Sequence, residues 1–233
     1  MNRSHFTNLC GVLGICGSLL LFAGDMLLYG NFGGGSEFET TYRTVIQGSS
    51  DQSLVWGGVL GPIATVFYFL GFYHIYSRVS ARSAGLALII VASCLVGMIF
   101  GGSYHAMWTI RAFLIKAQPL FSGPTLDSYE TLFRQIVTYT RLFYRAAEVL
   151  WLFGGGLLLY AVVSGKSLFP RWTALVNPAL LFLVSPLAQL IPAPIGLIVV
   201  GGYINIAMCL FFMVATVSTW SAAASHKTAG TSG

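Results

Sequence analysis

The sequence predicts an all-α polytopic membrane protein, a compact bundle of six transmembrane helices with both termini in the cytoplasm. Of its 233 residues, 56% are hydrophobic and only 8% are charged, whereas a soluble domain carries about 25% charged residues. The mean hydropathy is +0.77. Twelve Lys and Arg and seven Asp and Glu cannot cover the surface of a water-soluble globule of this size. The composition also excludes a disordered, collagen-like or disulfide-rich secreted protein.

Six segments are apolar over the roughly 20 residues that a membrane helix needs. They are residues 9–29, 54–76, 85–107, 143–163, 172–191 and 196–218. The first is too long for a signal-peptide core and lacks a small-residue cleavage site, so we expect it to be retained. Residues 1–221 are therefore predicted to form a single transmembrane bundle. The polar tail, residues 222–233, is predicted to be disordered and cytoplasmic.

Basic residues are distributed unequally between the connections. The predicted inner side carries no acid, and its basic residues are Arg3, Arg78, Arg82, Lys166, Arg171 and Lys227. Because cytoplasmic loops are enriched in Lys and Arg, this asymmetry places both termini inside and the long connections, 30–53 and 108–134, outside. In the second of these, Asp127 is predicted to cap a helix that continues into the fourth span.

Each span carries its polar residue on the same face as its small residues. In the first span, Gly11, Gly14 and Ser18 share a face with Asp25. Membrane helices pack through small residues, so the polar residue on that face should point into the bundle. By the same argument, the inward-facing polar residues of the later spans are His105, Arg141, Arg145, Glu148, Asn177 and Asn205.

Depth along the helices predicts where these residues meet. At ~1.5 Å per residue, Asp25, His105, Arg145 and Glu148 fall in one layer of the outer leaflet, with Asn205 beneath it. An ionisable residue inside a membrane indicates a functional site by default. We therefore predict a pocket that opens outward. Its candidate catalytic residues are Glu148, Asp25 and His105, and its candidate ligand-binding residues are Tyr104, Arg141, Arg145, Asn177 and Asn205.

The same layer has a purely structural interpretation. Arg145 could lie between Asp25 and Glu148 and satisfy both carboxylates, so that the network only locks the first and fourth spans together. A packed histidine bonded to a carbonyl or a carboxylate is likewise more common than a catalytic one, which applies to His105.

Several chemistries lack the residues that they require. A retinal Schiff base needs a lysine deep in a helix, but the three lysines lie in loops or the tail. A catalytic zinc site needs three ligands, and the chain has no HxxxH, HExxH or CxxC spacing. No Walker or GxSxG motif occurs. We therefore expect no cofactor and no metal. The scattered basic residues predict no nucleic-acid partner.

Three functions remain open at this stage. The first is an integral membrane protein that binds a membrane lipid or a small lipophilic molecule in the outward pocket. The second is an intramembrane enzyme that uses carboxylate acid/base chemistry on a lipid-soluble substrate, for example an isoprenoid. The third is a structural membrane scaffold. The sequence indicates no particular oligomeric state.

Four strings carry a resemblance to a known family. They are GDMLLYG around Asp25, GGSYHA around His105, FPRWTALVNP leading into the fifth span, and GLIVVGGYINIAM around Asn205. Together they resemble an uncharacterised family of bacterial six-span integral membrane proteins, a domain of unknown function. The resemblance covers most of the chain and implies a bacterial inner membrane location. It implies no catalytic residue.

Overall fold

The computed structural model describes residues 3–29, 38–192 and 195–220, which contain helices and no strand. The helices are α1 (Arg3–Tyr29), α2 (Phe38–Gly48), α3 (Asp51–Ser80), α4 (Ala84–Ala117), α5 (Pro124–Val163), α6 (Pro178–Leu183) and α7 (Ile195–Trp220). Short 3₁₀ helices span Gln118–Leu120, Arg171–Val176 and Ser185–Leu190. The predicted all-α class is confirmed. The predicted tail, 222–233, lies outside the described residues.

Five helical segments are long and apolar enough to cross a membrane. They are Ser4–Leu28, Asp51–Ser80, Ala84–Leu120, Pro124–Val163 and Ile195–Trp220. Their outer faces expose large apolar side chains such as Leu19, Val66, Leu88, Val149 and Val217. A helix that is apolar on its exposed face as well as its buried face belongs in a membrane.

Glycines bring the long helices into close antiparallel contact. A β-carbon at Gly24 of α1 would lie 3.0 Å from the carbonyl oxygen of Gly57 on α3. On α3, Gly61 lies directly against the His105 side chain of α4. In turn, α4 packs on α5, and α7 packs back on α1. These contacts leave α1, α4 and α7 close enough for short polar side chains to meet between them.

His74 lies at the side of the bundle where the described chain both begins and ends. Its Nδ1 is 2.9 Å from the carbonyl oxygen of Thr7, and its Nε2 is 3.5 Å from Thr219 Oγ1. The start of α1, the end of α3 and the end of α7 therefore meet here. We call this side of the bundle the N/C end.

The predicted fifth span, residues 172–191, is not one helix. Pro178 and Pro186 each lack a backbone N–H and clash with the preceding turn, so an α-helix cannot run through them undisturbed. The chain instead forms Arg171–Val176, α6 and Ser185–Leu190 in succession. We call residues 171–190 the broken segment. The prediction of one membrane helix here is therefore corrected to three short helices.

The broken segment nevertheless runs from one end of the bundle to the other. Just before it, Leu168 N donates to the carbonyl oxygen of Arg78, near the end of α3. Just after it, Gly196 N at the start of α7 donates to the carbonyl oxygen of Pro192. Since α3 ends at the N/C end and α7 begins at the opposite end, the segment covers the length between them.

The predicted outer connection 108–134 is mostly helical. Here α4 continues to Ala117, and α5 begins at Pro124. Gly123, with φ +54°, occupies the N-cap position that the sequence analysis gave to Asp127, which lies instead in the first turn. At ~1.5 Å per residue, the 40 residues of α5 extend about 60 Å. This is about twice the thickness of a bilayer core, so α4 and α5 project beyond it.

Two packed clusters flank the middle of the bundle. Toward the N/C end, a large core includes Tyr68, Phe72, Leu158 and Phe212. In the projecting part, Ile46 of α2 packs with a smaller group on α1, α3, α4 and α5. The space between the two clusters, bounded by α1, α4, α5 and α7, is where the polar residues converge.

Candidate functional site

A cavity of about 810 Å³ lies between α1, α4, α5, the broken segment and α7. It is lined by side chains from residues 97–111, 137–152 and 200–205, in the half of the bundle away from the N/C end. On its deep side, Leu21 and Met98 belong also to the packed core. The volume is within the range of about 300–1,000 Å³ that is typical of small-molecule sites.

Asp25 lies in the wall of this cavity and is 4% exposed. Its Oδ1 is 2.8 Å from His105 Nε2, and its Oδ2 accepts a hydrogen bond from Asn205 Nδ2 at 2.6 Å. The neighbouring Gly24 allows α1 to approach α3 closely, which carries the Asp25 carboxylate toward α4. The structure thus brings three of the predicted site residues into direct contact.

One proton is held between His105 and Asp25. His105 Nδ1 is 3.2 Å from the carbonyl oxygen of Gly57, which can only accept, so Nδ1 carries a hydrogen. His105 Nε2 faces a carboxyl oxygen, and one further proton must lie between the two atoms. The contact between Asp25 and His105 is therefore a hydrogen bond with one shared proton.

Tyr68 extends the network to α3, a contact that the sequence analysis missed. Its hydroxyl donates to Asn205 Oδ1 at 3.2 Å, and the side chain is fully buried. Asn205 thereby has its oxygen bonded to Tyr68 and its amide bonded to Asp25. A tyrosine on the small-residue face of the second span, four residues after Ala64 and three before Gly71, was the available signal.

Arg145 does not hold Asp25 and Glu148 together. Its Nη1 donates to Glu148 Oε2 at 2.8 Å, three residues along the same helix, and its side chain is 70% exposed. Glu148 itself is 13% exposed. The interpretation with one arginine between two buried carboxylates was therefore wrong, because His105 and Asn205 take that place beside Asp25. An ion pair as exposed as this one contributes at most about 1 kcal/mol to stability.

Arg141 and Arg111 also line the cavity. Arg141 lies one turn before Arg145 on α5 and is exposed. Arg111 was expected in an outer loop, but α4 continues past it, and its guanidinium carbon lies 4.3 Å from the centroid of the Trp108 ring. The spacing of Tyr104, Trp108 and Arg111 by four and three residues could have placed all three on one helical face.

Of the other predicted ligand-binding residues, Tyr104 lies at the cavity and Asn177 does not. Tyr104 lines the cavity, and its ring centroid lies 5.1 Å from that of Tyr144 on α5. Asn177 does not line the cavity. Its side chain accepts a hydrogen bond from Ala179 N at the start of α6 and donates to the carbonyl oxygen of Gly155. Asn177 therefore caps α6 and fastens the broken segment to α5.

The candidate catalytic residues all reach the cavity wall, but His105 has little freedom to react. Both of its ring nitrogens already have partners, in Gly57 and Asp25. Glu148 pairs with Arg145, as described above. Within the described part of the chain, no three His, Cys, Asp or Glu side chains come together as metal ligands.

The model of a family of unknown function, DUF6796, matches residues 1–222 of the chain. No curated protein and no solved structure matches at a significant level. The match therefore extends over the whole bundle, including every residue that lines the cavity.

Proposed function

The chain belongs to the DUF6796 family of unknown function, and we propose that it is an integral membrane protein that binds a small lipophilic or lipid-like molecule. The observation that carries the proposal is the cavity of about 810 Å³ among helices long enough to cross a membrane. Protein interiors are normally close-packed, so a space of this size is not needed to hold a bundle together. A bundle that served only as a scaffold would be expected to fill it.

The topology that we propose has six crossings, with the broken segment as the fifth and both termini in the cytoplasm. Among the described residues near the N/C end, the charged side chains are Arg78, Arg82, Lys166 and Arg171, with no acid. Cytoplasmic flanks are enriched in Arg and Lys, which supports a cytoplasmic N/C end and a cavity in the outer half. With the resemblance to bacterial proteins, the proposed location is the bacterial inner membrane.

Labelling of single cysteines tests this orientation. In a background without Cys10, Cys16, Cys94 and Cys209, a cysteine at Thr125 should react with an impermeant maleimide in intact cells. A cysteine at Ser80 should react only after permeabilisation, because it lies at the N/C end. Labelling at Ser80 but not at Thr125 in intact cells would reverse the proposed orientation.

The lining of the cavity suits a molecule that is mostly apolar. Leu21, Met98, Leu152, Phe182 and Ile204 contribute hydrocarbon and aromatic surface. The polar groups lie mainly on one side, on α4 and α5. Sites for small molecules usually combine an apolar lining with a few polar groups that fix orientation.

Filling the cavity by mutation should abolish binding. Gly101 lines the cavity, and a β-carbon there would meet no atom within 4 Å. We expect the wild-type protein to copurify with lipid-like molecules. Gly101→Phe should fold normally, because its ring can extend into the open space, and should lose these molecules. Native mass spectrometry of protein released from a mild detergent measures this loss.

Gly156→Phe is the matched control. Gly156 is an exposed glycine on α5, does not line the cavity, and likewise has no atom within 4 Å of a β-carbon. This variant should retain the bound molecules. If Gly101→Phe and the wild type carry the same molecules at the same occupancy, the cavity is not the binding site and the proposal fails.

The enzyme alternative has one observation in its favour and one against it. The proton shared by Asp25 and His105 lies at the cavity wall, as acid/base chemistry requires. However, a catalytic histidine also needs a ring nitrogen directed at the substrate, and both nitrogens of His105 have protein partners. Binding therefore remains the better-supported function.

A further inference from the structure

We propose that the molecule bound in the cavity is an anionic amphiphile whose phosphate or carboxylate head group is held by Arg141. This inference rests on the proposed function and specifies the class of ligand. The head group would lie toward the end of the cavity that is away from the N/C end, with the tail directed toward the packed core.

The charges in the cavity wall favour an anion. The wall contains Arg111, Arg141, Arg145, Asp25 and Glu148. Both carboxylates have protein partners, because Asp25 is bonded to His105 and Asn205, and Glu148 is paired with Arg145. Among the described residues, Arg141 has no carboxylate within ion-pair distance. Arg141 is therefore a cation in the wall without a protein counter-ion, whereas neither carboxylate in the wall is unpaired.

Arg141 is also placed to contact a ligand. Its side chain is exposed and lines the cavity, so the guanidinium can meet a bound molecule there. The planar guanidinium has donors arranged as a fork that matches a phosphate or a carboxylate.

Hydrogen-bond donors accompany Arg141 in this part of the wall. Tyr104 and Tyr144 both line the cavity, with their rings 5.1 Å apart between α4 and α5. Arg111 is held against Trp108 by a cation–π contact, which orients its guanidinium. Donors of this kind are suited to a ligand that is rich in acceptors.

Polarity decreases along α5 in the direction expected for an amphiphile. Arg141, Arg145, Glu148 and Leu152 follow one another along the cavity wall. Leu152 lies 11 positions after Arg141, which is about 16 Å at ~1.5 Å per residue. Beyond Leu152, the core of Leu158 and Phe212 closes the bundle. A charged head group at Arg141 thus leaves its tail in the apolar part.

The test compares three probes on the full-length protein in a nonionic detergent by native mass spectrometry. They are 1-oleoyl lysophosphatidic acid, 1-oleoyl glycerol with the same chain and no charge, and inorganic phosphate. We expect the phosphate-bearing lipid to bind at least tenfold more tightly than the uncharged one. Inorganic phosphate should bind at least a hundredfold more weakly than the phosphate-bearing lipid.

Variants of two arginines on α5 locate the head group. Arg141→Gln should reduce the affinity for lysophosphatidic acid to that for the uncharged lipid and leave the latter unchanged, whereas Arg141→Lys should restore part of the difference. Arg134→Gln is the control, because Arg134 is an exposed arginine on α5 that does not line the cavity. It should bind both lipids like the wild type. Thermal melts of each variant establish that it is folded.

The outcomes separate this inference from the proposed function. If the two lipids bind equally and Arg141→Gln changes neither affinity, the inference of an anionic head group is overturned, while the proposed lipid-binding function still holds. Phosphate binding as tight as that of the phosphate-bearing lipid would mean that the cavity takes a free anion, which overturns the amphiphile. Loss of bound lipid in Gly101→Phe, without any preference for charge, would support the function alone.

Discussion

Asp25→Leu is expected to lower the free energy of unfolding by about 3–5 kcal/mol, the usual cost of removing one partner from a buried ionic pair. The substitution leaves His105 Nε2 and Asn205 Nδ2 without their hydrogen-bond partner in the interior of the bundle. Asp25→Asn has a different outcome, because its amide can donate to a neutral His105 while its oxygen still accepts from Asn205. We expect the Asn variant to remain within about 1 kcal/mol of the wild type.

Unfolding in mixed micelles, followed by circular dichroism, measures both free energies. Asp51→Leu is the control for loss of a carboxylate, because the Asp51 side chain is 71% exposed and pairs with Lys116 on the surface. Its effect should stay below about 1 kcal/mol. If Asp25→Asn were as damaging as Asp25→Leu, the negative charge itself would be required. The arrangement with one shared proton would then be wrong.

The inward face of α1 could be predicted because lipid offers no alternative to close packing of small residues. Gly11, Gly14, Ser18 and Asp25 recur on one face, and all four are buried in the structure. Only small residues let two backbones approach, so a polar residue on their face must end between helices. The same argument placed His105 and Asn205 in the interior, and the structure joins both to Asp25.

Counting residues from the helix ends placed His105 at the level of Asp25 but placed Asn205 beneath it. Such counting assumes that all helices start at a common plane. In the structure, Asp25 lies four residues before Tyr29 at the end of α1, whereas Asn205 lies ten residues after Ile195 at the start of α7. Their side chains nevertheless meet at 2.6 Å. The offset between helices is set by packing, which a single sequence does not contain.

The broken segment was missed for a different reason. The hydropathy of residues 172–191 is that of a membrane span, and on that basis one helix was predicted there. Pro178 and Pro186 are eight residues apart. Little more than two helical turns lie between them, so both ends of any helix there are perturbed. Composition therefore predicted an apolar segment here, and proline geometry decided that it is not one helix.

The crossing of α1 and α3 at Gly71 gives the other prediction with a large expected effect. A β-carbon at Gly71 would lie 2.6 Å from Gly14 Cα and 2.9 Å from two ring atoms of Phe212. The first obstacle is backbone, which cannot move aside as a side chain can. Phe212 is fully buried and has no space to move into. Three helices therefore meet at this point without room for an additional carbon.

Gly71→Ala is expected to cost about 1–3 kcal/mol, the usual range for overpacking a well-packed core. Gly71→Leu should yield no folded protein, because it would force α1 and α3 apart and disrupt the Asp25 network above. Thermal melts and size-exclusion profiles in detergent measure both effects. Gly156→Ala and Gly156→Leu are the controls, since that helical glycine has no atom within 4 Å, and both should fold like the wild type. A Gly71→Leu variant with wild-type stability would mean that α1 and α3 do not cross at Gly14 and Gly71.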